Sequence, residues 1–172
     1  MPAISKAYIT EIKQILKEAR TKAYAAVNYS MVEAYWLIGK RIVEEIQQGG
    51  NRANYGEQVI KNLSKALTAE FGRGFSERSI RQYRQFYQIF PKLPIQRSLI
   101  AISDKSGKSK TDLAITDRQI DKTSTQNLIT WTHIQRIMRV TNPEARAWYL
   151  KEAADQTWDV RTLDRNISTQ EL

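Results

Sequence analysis

The stretch Phe71-Gly72-Arg73-Gly74-Phe75-Ser76-Glu77-Arg78-Ser79-Ile80-Arg81-Gln82-Tyr83-Arg84-Gln85-Phe86-Tyr87-Gln88 decides the fold. Two glycines two residues apart mark a tight turn. Ser76 is a good N-cap for the helix that follows, and Glu77 suits the positive end of its dipole. That helix runs to Phe90 and stops at Pro91, with Pro94 close behind. Ile80, Tyr83, Tyr87 and Phe90, with Phe86 beside them, form one apolar face. The opposite face holds Arg78, Arg81, Gln82, Gln85 and Gln88, at steps of three and four. Upstream, Val59, Ile60, Leu63, Ala66, Leu67 and Phe71 predict the inner face of a helix over Tyr55–Phe71. Residues 55–90 therefore read as helix, short glycine turn, helix. That is the layout of a helix-turn-helix, in which the second helix enters the major groove of duplex DNA.

From Ile4 to Ile46 apolar residues again recur at helical spacing. They include Tyr8, Ile12, Ile15, Leu16, Ala19, Ala23, Ala26, Val27, Met31, Leu37 and Ile42. Asn28-Tyr29-Ser30 is the one weak point, where the segment kinks, breaks or continues. A continuous helix would be about 65 Å long at ~1.5 Å per residue. A helix of that length cannot bury its face within a small monomer, so continuity would suggest a homodimer through the N-terminal helices. Gln48-Gly49-Gly50-Asn51 ends the segment with a glycine C-cap.

Residues 96–127 are expected to form a polar loop or insertion around Ser103-Asp104-Lys105-Ser106-Gly107-Lys108-Ser109-Lys110. Beyond them, Thr130 can cap a helix through Val140. Asn142-Pro143-Glu144 opens a helix to about Gln156, and Asp159 caps a last one holding Val160, Leu163 and Ile167. No strand alternation is present. The expected fold is all-α, with units at 1–95 and 128–172 joined by 96–127, both units sharing one domain.

Composition narrows the chemistry. The 172 residues include no Cys and a single His, His133. Thiolate metal sites and Cys nucleophiles are excluded, and His133 has no nucleophile or partner acid to work with. It reads as a structural histidine near the Thr130 cap. Glu44 and Glu45 are adjacent on a helix and point apart, so they form no carboxylate pair. Gly72-x-Gly74 lacks the preceding strand of a dinucleotide fingerprint. Trp36, Trp131, Trp148 and Trp158 read as core. No cofactor or metal is expected. With no apolar run long enough to span a bilayer and no secretion signal, a cytoplasmic protein is expected.

The net charge is +9, and +5 of it lies in residues 72–97, with six basic residues and one acidic. A localised basic stretch is the footprint of polyanion binding. Arg and Gln pair bidentately with guanine and adenine edges. The candidate DNA-binding set is Arg73, Ser76, Arg78, Ser79, Arg81, Gln82, Arg84 and Gln85. Arg78, Arg81, Gln82 and Gln85 would approach bases, and Arg73 and Arg84 would hold phosphates, joined by Lys92 and Arg97. Residues 128–172 carry six basic and six acidic side chains, so Arg136, Arg139, Arg146, Arg161 and Arg165 read as ion-pairing or interface residues. The alternative for the whole chain is a protein-interaction or dimerisation module that does not bind nucleic acid.

The blocks Tyr35-Trp36-x-Ile38-Gly39-Lys40-Arg41-Ile42, Tyr55-Gly56, Phe71-Gly72-Arg73-Gly74-Phe75-Ser76 and Trp131-Thr132-His133 resemble the YhcG-type N-terminal domain of bacteria. Ala145-Arg146-Ala147-Trp148-Tyr149 and Trp158-x-Val160-Arg161-x-Leu163-x-Arg165-x-Ile167 extend the resemblance in the same order. It implies a helical DNA-binding domain that usually precedes a PD-(D/E)xK nuclease domain. The only matching tripeptide here, Glu11-Ile12-Lys13, sits on a predicted helix with no acid before it. The expectation is thus a non-catalytic targeting domain, with cleavage supplied by a nuclease domain in cis or in trans.

Overall fold

A computed structural model describes residues 6–50, 52–95 and 128–169. They form six helices and no strand: α1 Lys6–Gln48, α2 Ala53–Phe71, α3 Glu77–Ile89, α4 Trp131–Ile137, α5 Pro143–Asp155 and α6 Val160–Thr169. The protein is all-α, as the periodicity predicts. The polar loop expected over 96–127, with Arg97 in it, lies outside the described residues, as do Ile4 and Asn51.

α1 is one helix through Asn28-Tyr29-Ser30. None of those three is glycine or proline, so nothing removes a backbone hydrogen bond there. It ends at Gln48, and Gly50 in the turn that follows has a φ of +76°, which suits a residue without Cβ. The chain divides into two compact units: Ser30–Pro94, and Met1–Tyr29 with Ile95–Leu172. The boundary falls inside α1, whereas the sequence reading grouped 1–95 together.

In the unit Ser30–Pro94, α3 packs its buried Ile80, Tyr83 and Phe86 inward. Val32, Ile42 and Ile60 join the same buried set. Phe86, set beside the apolar face in the sequence reading, is fully buried. Gly39 of α1 lies against α3 so closely that a Cβ would sit 2.0 Å from the Tyr83 carbonyl oxygen. Tyr35 stacks on Tyr83 with ring centroids 4.4 Å apart. Trp36 Nε1 donates to the Phe90 carbonyl at 2.7 Å, which ties α1 to the end of α3. α2 buries Gly56 and Ile60, but Ala66 and Phe71 are exposed, against expectation. Phe71 instead leans towards Phe75, 6.0 Å between centroids.

In the other unit, α4 is shorter than Thr130–Val140 and ends at Ile137. Its first turn is a capping box with His133 in the place usually held by Glu or Gln. Asn142 Oδ1 accepts from Glu144 N at 2.8 Å and Ala145 N at 3.2 Å, ahead of Pro143 in the first turn of α5. Asp159 Oδ1 accepts from Thr162 N at 2.7 Å and caps α6. Thr157, at φ +57°, turns the chain out of α5, and Trp158 N donates back to the Ala153 carbonyl at 3.1 Å. Ile134, Ile137 and Leu163 have no exposed surface. Asn28 Nδ2 of α1 donates to the Ile129 carbonyl at 3.1 Å.

Trp148 departs from the core expectation: it is 42% exposed, and it meets Trp158 edge-on at 6.2 Å. The other three tryptophans are half-buried. Of the five C-terminal arginines, Arg136 pairs with Asp164 at 3.4 Å.

Candidate nucleic-acid interface

The turn 72–76 sets how α3 leaves α2. Gly72 and Gly74 take φ of +79° and +105°, conformations that side chains rarely adopt. Side-chain hydrogen bonds hold the turn. Ser64 Oγ donates to the Phe75 carbonyl at 2.7 Å, and Tyr83 Oη donates to the Gly74 carbonyl at 2.9 Å. Ser76 Oγ accepts from Ser79 N at 3.2 Å. Ser76 and Ser79 are therefore committed to the cap, with their hydroxyls 3.1 Å apart.

With Ile80, Tyr83 and Phe86 turned inward, the opposite stripe of α3 faces solvent. Arg78 and Gln85 are exposed there, and Gln82 and Arg84 are half-buried on its two sides. Arg73 is exposed in the turn, and Lys92 is exposed beyond α3. Arg81 is placed differently. Its Nη2 lies 2.7 Å from Glu57 Oε2 of α2 and 3.2 Å from Glu77 Oε2 of α3. The hydrogen bond from Arg81 holds the Glu57 carboxyl below the usual carboxylate range. In turn Glu57 pushes the Arg81 guanidinium further up. Arg81 is thus a strap between the two helices, and its charge is already met by two carboxylates. The signal for this lies at Glu57 on the first helix of the motif, 24 residues upstream, where no local spacing points to it.

His133 is 4% exposed. Its Nδ1 receives the Thr130 N–H at 3.2 Å, and its Nε2 lies 2.9 Å from the Trp158 carbonyl oxygen. A backbone N–H only donates and a carbonyl only accepts, so the ring is neutral with its proton on Nε2. Burial lowers its pKa below the ordinary histidine value. Glu11-Ile12-Lys13 lies on α1. Among the described residues, no group of three or more His, Asp or Glu side chains could hold a metal ion. No helix among them is long and apolar enough to cross a membrane.

A helical chain whose tight glycine turn presents a basic helix defines the class, and comparison defines the family. The chain belongs to the family of the DUF1016 N-terminal domain, whose profile matches residues 11–172. It is similar to the Escherichia coli (strain K12) protein named "Putative nuclease YhcG", with 37% identity over 163 residues. The match covers 92% of this chain and 43% of that protein, so the chain spans less than half the relative's length. No solved structure matches.

Proposed function

We propose that this chain binds duplex DNA through the solvent face of α3, as a non-catalytic targeting domain in a nuclease-associated family. The observation that carries the reading is the exposed stripe of α3. It sits inside the most basic stretch of the chain and is presented from a rigid glycine turn on α2, the arrangement of a helix-turn-helix. Arg78 and Gln85 are the outermost side chains of that stripe and the best placed to approach base edges, with Gln82 beside them. Arg73, Arg84 and Lys92 flank it as phosphate ligands. Arg81 supports the site by strapping α3 to α2 rather than by reading bases. Cleavage belongs, in this reading, to a nuclease domain in cis or in trans, and the working compartment is the cytoplasm.

The test is fluorescence anisotropy of a labelled duplex across a salt series. The logarithm of affinity should fall linearly with the logarithm of salt, by about 0.9 per neutralised phosphate. Arg73→Ala should weaken binding to all duplexes and lower that slope by about 1. Arg78→Ala should weaken binding by roughly tenfold or more, the scale of one good base contact. Absence of binding at 50 mM salt, or an Arg78→Ala protein that binds like the parent, would sink the proposal.

A further inference from the structure

The amino-terminal half of α1 wears its polarity inside out. Its buried positions over residues 6–29 are Glu18, Thr21 and Ala25. The opposite side carries Tyr8, Ile9, Ile12, Ile15, Leu16 and Val27, each between 39% and 61% exposed. At 100° per residue these six fall within about one third of the helix circumference. Ala19, Ala23 and Ala26 lie within the same strip. It is therefore one continuous apolar band and not a scatter of single surface residues.

We propose that this band is the interface of a homodimer, with the same band of a second copy as its occupant. Three observations favour that occupant. First, the band lies on one unbroken helix and so presents a single continuous face. Second, the area fits. At roughly 150–200 Å² for a large side chain, six that are about half exposed present on the order of 500 Å². Soluble monomers rarely leave contiguous apolar patches above a few hundred Å² open to water. A standard interface takes about 800 Å² from each partner, and homodimer interfaces are about 65% apolar. The band supplies that apolar part, and the aliphatic stems of its flanking lysines and arginines supply the rest. Third, a single strip on one helix is self-complementary about a two-fold axis, which the commonest closed oligomer requires. The three alanines let two backbones approach closely at its middle.

This inference does not depend on DNA binding and is tested without DNA. The 172-residue chain is run in sedimentation equilibrium from 1 to 100 µM, beside an Ile12→Glu/Leu16→Glu variant. The expected result is a dimer for the parent and at least a hundredfold weaker association for the variant, with unchanged helical circular dichroism. Should the double variant lose helicity, Tyr8→Lys at the exposed start of the helix replaces it, with at least tenfold weaker association expected. A parent that stays monomeric at 100 µM overturns the proposal, and so does a folded variant that dimerises like the parent. The monomeric parent is also spun with phosphatidylcholine/phosphatidylglycerol vesicles. Co-sedimentation there would reassign the band to a lipid surface.

Discussion

Two halves of one helix use the same apolar periodicity in opposite ways. Over residues 30–48 most apolar and small positions are at least partly covered, Met31 and Leu37 excepted. Val32 and Ile42 are buried, Gly39 touches the backbone of α3, and Tyr35 and Trp36 pack against it. Over residues 6–29 the apolar positions face solvent and a glutamate and a threonine are buried instead. Periodicity thus identifies a face, while the neighbours available to a segment decide whether that face is covered from within the chain. The two compact units differ in the same sense. Ser30–Pro94 is held by close packing around α3. The other described helices are short and depend on caps: His133, Asn142 and Asp159 each satisfy the start of a helix.

This contrast can be broken at chosen positions. Gly39→Ala should have the largest effect, because its Cβ meets backbone, which cannot swing away as a side-chain tip can. Overpacking costs of about 3 kcal/mol, offset by about 1 kcal/mol of alanine helix propensity, leave a net loss of about 2 kcal/mol in urea unfolding. A neutral Gly39→Ala would mean that α1 and α3 are not in close contact.

His133→Ala should cost about 2 kcal/mol, since it strands the Trp158 carbonyl and the Thr130 N–H. It should also change the acid limb. With its folded pKa lowered, His133 contributes stability that is fully present above the unfolded value, about 6.5, and lost as pH falls below it. Thermal unfolding from pH 7.5 to 5 should show the parent losing stability over that window and the variant losing less.

Thr157→Gly should stabilise the chain by about 1 kcal/mol, because a β-branched residue occupies a left-handed position that glycine takes without penalty. The smallest effect belongs to Ile12→Ala. Measured at a concentration where the chain is monomeric, it should change stability by less than about 0.5 kcal/mol. A loss as large as that of a buried isoleucine would erase the difference between the two halves of α1.

Local signals were the legible ones. Gly72 and Gly74, the Ser76 cap, Asn142-Pro143 and Asp159 each act within four residues, and the elements begin and end near them. The solvent stripe of α3 followed from its own spacing. What stayed hidden depends on long separations. Arg81 finds Glu57 from another helix, Gly39 finds Tyr83 44 residues on, and His133 finds Trp158 25 residues on. None of these pairs leaves a mark in a local window. The uncovered band on α1 was legible only conditionally, from the length a continuous helix would have, because its pattern alone is that of an ordinary core helix.

The stacked Tyr83 also has an optical consequence. Burial first, and then the neighbouring Tyr35, push its phenol well above the ordinary tyrosine value. Its hydroxyl proton is held by the Gly74 carbonyl. In an alkaline absorbance titration, Tyr83 ionises late. Its late tyrosinate signal would accompany the opening of the Ser30–Pro94 unit, which makes one native side chain a built-in gauge of whether the turn beneath α3 is intact.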